Sequence, residues 1–358
     1  MRGEAFCVVA AVQSAARGSD EPDCFAKLPK VQKHLHNLLA SSPAKLRPGE
    51  SRTPFSKDFV WVKTDILGSG AFGTVYRCRN RGENLYRYAV KELLLSATPH
   101  GINSITEVLQ EVEVMQALLQ AGTCHVVKLH AFYRSQDTAW LVLKLLPGQP
   151  LDKVLGMLHK LPADDRPAIL TRTATELLQM LADVHAKGIA HGDLKPANIF
   201  LDLQSCQTMT HVLDWGLAKR YQPGEKHVLL QGTLEYLAPE VLDQWTAQSQ
   251  GCEPAPCDPA SADMWSMGVV LFEVYTCKNP FRAGWWRLAT MQQARGIRAL
   301  QQQWANRASG MAKMQQLLLK LPSSAVGLFQ GLLDENPERR LRAKQALEHP
   351  FFSGRGQH

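Results

Sequence analysis

Asp193, Lys195 and Asn198 fall in one run, His191-Gly-Asp-Leu-Lys-Pro-Ala-Asn198, and Asp214-Trp-Gly216 begins sixteen residues after Asn198. The pattern gathers a carboxylate, an ammonium and a carboxamide on one short loop and puts a second carboxylate at a fixed remove. One aspartate is then placed to accept a proton from a hydroxyl. The asparagine and the second aspartate are placed to hold magnesium against the phosphates of a nucleotide. Either run alone could arise by chance; both, in order and at this spacing, constrain the chain strongly.

Other motifs flank this pair. Leu67-Gly-Ser-Gly-Ala-Phe-Gly-Thr-Val75 is glycine-rich, and strand-like alternation lies on both sides of it, which argues against the strand-to-helix turn of a dinucleotide site. Tyr88-Ala-Val-Lys91 follows, then Glu111 inside an apolar-periodic stretch. Downstream stand Gly232-Thr-Leu-Glu-Tyr-Leu-Ala-Pro-Glu240, Asp263-Met-Trp-Ser-Met-Gly268 and Asn336-Pro-Glu-Arg-Arg340. In this order they resemble the motifs of eukaryotic-type serine/threonine protein kinases, from about Asp58 to about Phe352. The resemblance implies an α+β, two-lobed protein kinase-like fold. Residues 58–146 would form a small β-sheet lobe with one long helix, and 147–352 a larger, mostly helical lobe. Residues 1–57 would be an extension, partly disordered, and 353–358 a tail.

Local patterning agrees with that plan. Alternation predicts strands over Trp61–Leu67, Thr74–Arg79, Leu85–Lys91, Val126–Tyr133 and Trp140–Leu145. Helical spacing over Ile105–Leu119 puts Val108, Val112, Met115 and Leu119 on one face. A second helix is expected over Ala168–Lys187, ended by Gly188.

The resemblance also assigns roles. Leu67, Gly68, Ser69, Gly70, Ala71, Phe72 and Gly73 would cover ATP, because glycine lets backbone N–H groups approach phosphate. Val75 and Ala89 would roof the adenine and Phe200 would floor it. Leu143 would be the gatekeeper, and the backbone of Lys144 to Leu146 would read the base edge. Lys91 would contact the α- and β-phosphates, paired with Glu111; Glu107 and Glu113 compete for that pairing, and Met115 one turn on favours Glu111. Asp193 would be the catalytic base, Lys195 would steady the γ-phosphate, and Thr233 would bridge the two. Asn198 and Asp214 would hold Mg2+. Trp215 stands where phenylalanine is commoner and would pack between Met115 and His191. Glu240 with Arg340, and Asp263, would support the fold. Gly192 replaces the family's usual arginine, and residues 217–231 contain no serine or threonine, so phosphate-driven ordering of this segment is not expected; Tyr221 is the one hydroxyl there. The alternative reading is a pseudokinase-type scaffold or nucleotide-binding signalling module, which loss of Lys91, Asp193 or Asp214 would favour; all three are present. A small-molecule or lipid kinase is a second alternative, against which the Gly232–Glu240 run argues, since in the family it shapes a peptide-binding shelf.

Composition fits a soluble globular enzyme; the resemblance implies ATP and protein substrates as what it acts on. Of 358 residues, 45% are hydrophobic and 20% charged, and the net charge of +7 is mild enough that nucleic acid is not an expected partner. No apolar run approaches the roughly 18 residues of a membrane span. Phe6–Val12 is short for a signal core and Glu4 interrupts its basic flank, so a cytoplasmic or nuclear location is expected. The eight cysteines form no even framework, which suits a reducing compartment. Val31–Leu39 could form a short amphipathic helix, and the stretch from Ser41 to Pro54 reads as linker. Two further stretches depart from the family spacing: Glu240–Asp263, rich in Pro, Gln and Cys, and residues 284–320, where Trp285-Trp286 leads into a Gln-rich helical pattern. A regulatory protein partner would find its surface on the extension or on residues 285–320.

Overall fold

A computed structural model describes residues 54–70, 73–95, 104–158, 160, 166–202, 210–281, 297–319, 321 and 323–353. The expected helix over Val31–Leu39, the linker to Pro54, and Ala71, Phe72, Trp285 and Trp286 lie outside the described residues, or, for Pro54, at their edge. The chain divides into two compact units. The first runs up to Gly122 and takes in Val127–Leu145; the second comprises Thr123–Val126 and everything from Leu146 onward.

Among the described residues the first unit is one antiparallel sheet with two helices. Helix α1 (Pro54–Asp58) leads into β1 (Phe59–Gly70), β2 (Gly73–Asn80) and β3 (Tyr88–Leu94); helix α2 (Ile105–Gln120) follows, then β4 (Leu129–Arg134) and β5 (Thr138–Lys144), in the sheet order β1-β2-β3-β5-β4. Strand alternation splits the sheet into two faces. One face carries a buried cluster of Phe59, Tyr76, Cys78, Val90, Ala131, Tyr133, Trp140 and Val142. Phe55 of α1 is wholly buried in that cluster, stacked on Phe59 at 5.5 Å and on Trp140 at 5.7 Å, with Trp61 at 4.6 Å. The buried fold therefore begins before the expected boundary at residue 58. The other face carries Val75, Ala89, Lys91 and Leu143. Val75 opposes Lys91, and Ala89 opposes Leu143 one rung along.

Two strand limits differ from expectation for local reasons. Leu85 and Tyr86 stay exposed in the turn before β3, which begins at Tyr88. Val126 leaves the expected fourth strand and bridges Val212 in the second unit, so β4 starts at Leu129. Helix α2 begins with a capping box: Ser104 Oγ accepts from Glu107 N, and the Glu107 carboxylate accepts from Ser104 N. Val108, Val112 and Met115 are buried as the spacing predicts. In the last turn the inward residue is Leu118, while Leu119 is left exposed, because the buried arc widens toward Val114 and Leu118 rather than staying a narrow stripe.

The second unit is mostly helical. Short strands β6 (Gln149–Pro150), β8 (Ile199–Leu201) and β9 (Thr210–Val212) form one small sheet, and β7 (Ile189–Ala190) pairs with β10 (Lys219–Arg220). Helices α3 (Leu151–Leu158) and α4 (Arg166–Ala186) come first; α5 (Pro239–Ser249) and α6 (Pro259–Thr276) follow the small strands. Gly188, at φ +63°, turns the chain after α4; a side chain there would run into the Tyr221 carbonyl. Helix α6 is buried along nearly its whole length and is capped by Asp258, whose carboxylate accepts from Ala260 N and Ser261 N. Helix α7 (Ile297–Leu318) occupies the Gln-rich stretch and buries Met314 and Leu318; α8 (Ser323–Leu332), α9 (Ala343–Leu347) and α10 (Pro350–Ser353) close the unit. Arg340, fully buried, makes a two-pronged pair with Glu240 at 2.6 and 2.9 Å and lies over the Trp265 ring. No helix among the described residues is long and apolar enough to cross a membrane.

Candidate active site

The candidate residues fall in both units. In the first, Lys91 lies on β3 and Glu111 two turns into α2. Lys91 Nζ donates to both Glu111 oxygens, at 2.8 and 3.1 Å, and both side chains are buried. Burying two ions is costly unless they pair closely, so the sheet and helix must meet in one register. Glu107 is occupied at the helix cap, and the sequence carried that signal in Ser104-Ile-Thr-Glu107.

The glycine-rich strands join this face. Gly68 pairs with Val75, and Val75 with Lys91, so the three lie side by side across the sheet. Gly73, at φ +146°, is demanded by the fold, since a side chain would strike Glu92 O. Gly68 and Gly70 are not: a Cβ at either meets nothing within 4 Å. Their smallness leaves open backbone that no described residue fills. Leu67 and Ser69 lie on the same exposed strand. Ala71 and Phe72 lie outside the described residues. Lys144 N donates to Lys128 O, whereas Leu146 N–H has no partner among the described residues.

In the second unit the loop after β7 holds a tight cluster. Asp193 Oδ2 accepts from Lys195 Nζ at 2.6 Å; Asp193 Oδ1 accepts from Thr233 Oγ1 at 2.7 Å; Lys195 Nζ also donates to Thr233 Oγ1 at 2.8 Å. Asp193 is 6% exposed, and its carboxylate cannot rotate without breaking these bonds. Asn198 ends a 3-10 turn begun by Pro196, and its Nδ2 donates to Asp193 O at 2.9 Å and to Asp193 Oδ2 at 3.3 Å. With the amide nitrogen thus spent, Asn198 keeps Oδ1 as an acceptor that no described residue engages. Asp214 is half-buried in left-handed backbone, φ +58°, a conformation strained for a non-glycine residue and concentrated at functional sites. Phe200 lies on β8, paired with His211 and Pro150.

Backbone anchors hold the loop. Asp263 accepts from His191 N at 2.6 Å and Gly192 N at 2.9 Å, and His185 Nε2 adds a third contact at 3.0 Å. His191 is fully buried. Its Nδ1 accepts from Asp193 N, so its proton sits on Nε2 and goes to Leu213 O. Trp215 packs its ring 4.7 Å from that imidazole and is completely buried. Gly192 takes φ +80°, and a Cβ there would lie 2.6 Å from Leu217 O. Tyr221 donates its hydroxyl to His185 O, and burial raises its pKa above the usual phenol range, with Asp258 and Asp263 adding to the effect.

Residues 61–352 match the protein kinase domain family. The chain belongs to that family. Among curated proteins it is 30% identical over 287 residues to calcium-dependent protein kinase 8 of Oryza sativa subsp. japonica, covering 80% of this chain and 47% of that protein. It is also 30% identical over 297 residues to the human phosphorylase b kinase gamma catalytic chain, liver/testis isoform, covering 80% and 65%. A probable serine/threonine-protein kinase of Dictyostelium discoideum, fhkA, is 28% identical over 314 residues, covering 83% and 50%. This kinase chain thus spans about half the length of the first curated relatives it matches.

Proposed function

We propose that this kinase transfers the γ-phosphoryl group of ATP to serine and threonine hydroxyls of protein substrates. The observation that carries the reading is the closed triangle of Asp193, Lys195 and Thr233, each within 2.8 Å of the next. Phosphoryl transfer asks little covalent work of a protein; it depends on positioning and on neutralising charge. Asp193 would accept the hydrogen bond of the attacking hydroxyl and take its proton. Lys195, held against it, would face the γ-phosphate. Lys91, fixed by Glu111, would pair with the α- and β-phosphates. The open backbone at Gly68 and Gly70 would let phosphate approach the N–H groups. In the first unit Val75, Ala89 and Leu143, on the same sheet face as Lys91, would meet the adenine.

The donor set also fits magnesium. A hard cation takes oxygen ligands and commonly keeps only one or two from the protein beside phosphate and water. Asp214 supplies a carboxylate and Asn198 Oδ1 a neutral oxygen. Magnesium, when bound, would neutralise the phosphates for in-line attack.

The decisive test is radiolabelled phosphate transfer to a peptide library by the full chain, with Asp193→Ala as the blank and Asp214→Asn beside it. Both variants are expected to lose on the order of 10³-fold or more in turnover. Asp214→Asn should also lose the magnesium-dependent part of ATP's thermal stabilisation, and Asp193→Ala should keep it. A wild type that binds ATP and phosphorylates nothing would replace this reading with that of a scaffold.

A further inference from the structure

The segment from Gly216 to Thr233 is tied down by chain that precedes it and by chain that follows it. Residues 217–231 offer no serine or threonine, and Gly192 offers no cation to meet a phosphate. Lys219 and Arg220 pair with β7, and Tyr221 N donates to Gly188 O. Farther along, His227 and Cys257 exchange both backbone hydrogen bonds, at 2.7 and 2.8 Å. Cys257 belongs to the atypical stretch after Glu240, so a residue run with no counterpart in the expected spacing forms a two-bond bridge to the segment.

Gln244, on helix α5, closes this bridge. It is 1% exposed. Its Oε1 accepts from Leu229 N at 2.6 Å; its Nε2 donates to His227 O at 3.1 Å and to Ala255 O at 2.7 Å. One carboxamide therefore spends its acceptor on the segment and divides its two donors between the segment and the 250–258 loop. The next residue, Trp245, donates Nε1 to Leu229 O at 3.1 Å. Leu229 thus has both backbone groups held by adjacent side chains of one helix. Four residues later comes Thr233, whose hydroxyl reaches Asp193 and Lys195.

We propose that Gln244 is a positioning residue: with the 250–258 loop it clamps residues 227–229, and so sets Thr233 against Asp193 and Lys195 without any phosphate on the segment. A buried carboxamide suits this task, because each unmade bond would leave a buried backbone group unsatisfied, and the amide can serve an N–H and a C=O at once. The Cys257 thiol, pushed up to about 12 chiefly by burial, stays protonated beside the clamp.

The catalytic half of this inference rests on the proposed phosphotransfer; the clamp itself does not. The test compares phosphatase-treated wild type with Gln244→Met and Gln244→Glu, all as the full chain. Methionine keeps the volume and removes the bonds; glutamate sets a carboxylate oxygen against His227 O and Ala255 O, where a donor is needed. Expected for both are a fall of about tenfold or more in peptide kcat/KM, an ATP KM within about twofold of wild type, and tryptic cleavage after the exposed Lys226 about tenfold faster. Unchanged peptide turnover overturns the proposal. So does a uniform loss of ATP binding and thermal midpoint, which would make Gln244 an ordinary core residue. If wild type transfers no phosphate, the phosphotransfer reading fails instead, and the cleavage rates at Lys226 still decide the clamp: faster in the variants supports it, unchanged refutes it.

Discussion

Gly192 shows how one residue limits what its loop can become. Its backbone sits at φ +80°, where L side chains are strained, and a Cβ would come within 2.6 Å of Leu217 O. Its N–H is one of the two that Asp263 holds. Gly192→Ala is therefore expected to cost about 1 kcal/mol or more, from the backbone conformation and the contact together. Urea unfolding measures this; an unchanged midpoint would show that the loop moves aside freely. Tyr221 is a parallel case. The sequence left it as the one hydroxyl between Gly216 and Gly232, and the structure spends that hydroxyl on His185 O. A second kinase would first have to pull this residue off the β7–β10 pair.

At the scale of elements, helix starts carry much of the order. The α2 capping box fixes the helix that presents Glu111, and Asp258 does the same for α6, which presents Asp263. Burial alone would raise the Asp258 pKa, but Arg342 at 2.6 Å and the N–H groups of Ser261 and Ala260 outweigh it and hold it below the usual carboxylate range. A depressed carboxyl contributes stability that is complete above the unfolded-state pKa and is lost as pH falls through the folded one. Asp258→Ala should thus cost about 1 kcal/mol at neutral pH. The gap between wild type and variant should close as the solution is acidified below the carboxylate range. Denaturation curves at a series of pH values check this, and a gap that persisted unchanged at low pH would rule out the charge as its source.

For each whole unit, the core decides where the domain begins. Phe55 precedes the boundary that the motif pattern drew, yet it is wholly buried among Phe59, Trp61, Tyr133 and Trp140. Phe55→Ala should destabilise the first unit by about 3–5 kcal/mol. A chain begun at Asp58 should suffer at least as much, and the loss would be read from the denaturant midpoint by tryptophan fluorescence. Equal midpoints for the chains begun at residue 54 and at residue 58 would show that the ring is replaceable.

The motifs were legible because they stand at fixed spacing: Lys91, Asp193, Asn198 and Asp214 each fall inside a short run that marks the family, while alternation announced the sheet and helical spacing announced α2. Several strand ends and the inward turn at Leu118 were not legible, since they depend on which neighbour covers a residue. Glu111 could be preferred over Glu107 only by a nearby methionine, although the capping serine that engages Glu107 was in the sequence. Gln244 gave no sequence signal at all. A glutamine in a Gln-rich stretch reads as solvated surface; only the chain folding back from Cys257 to His227 buries it and gives its amide three backbone partners. What local chemistry fixes, the sequence determined by itself: the family, the two-part architecture and the motifs from which the candidate site is drawn. What depends on contacts between segments far apart in the chain, only the tertiary structure decided, because no local pattern records which distant backbone groups a side chain will satisfy.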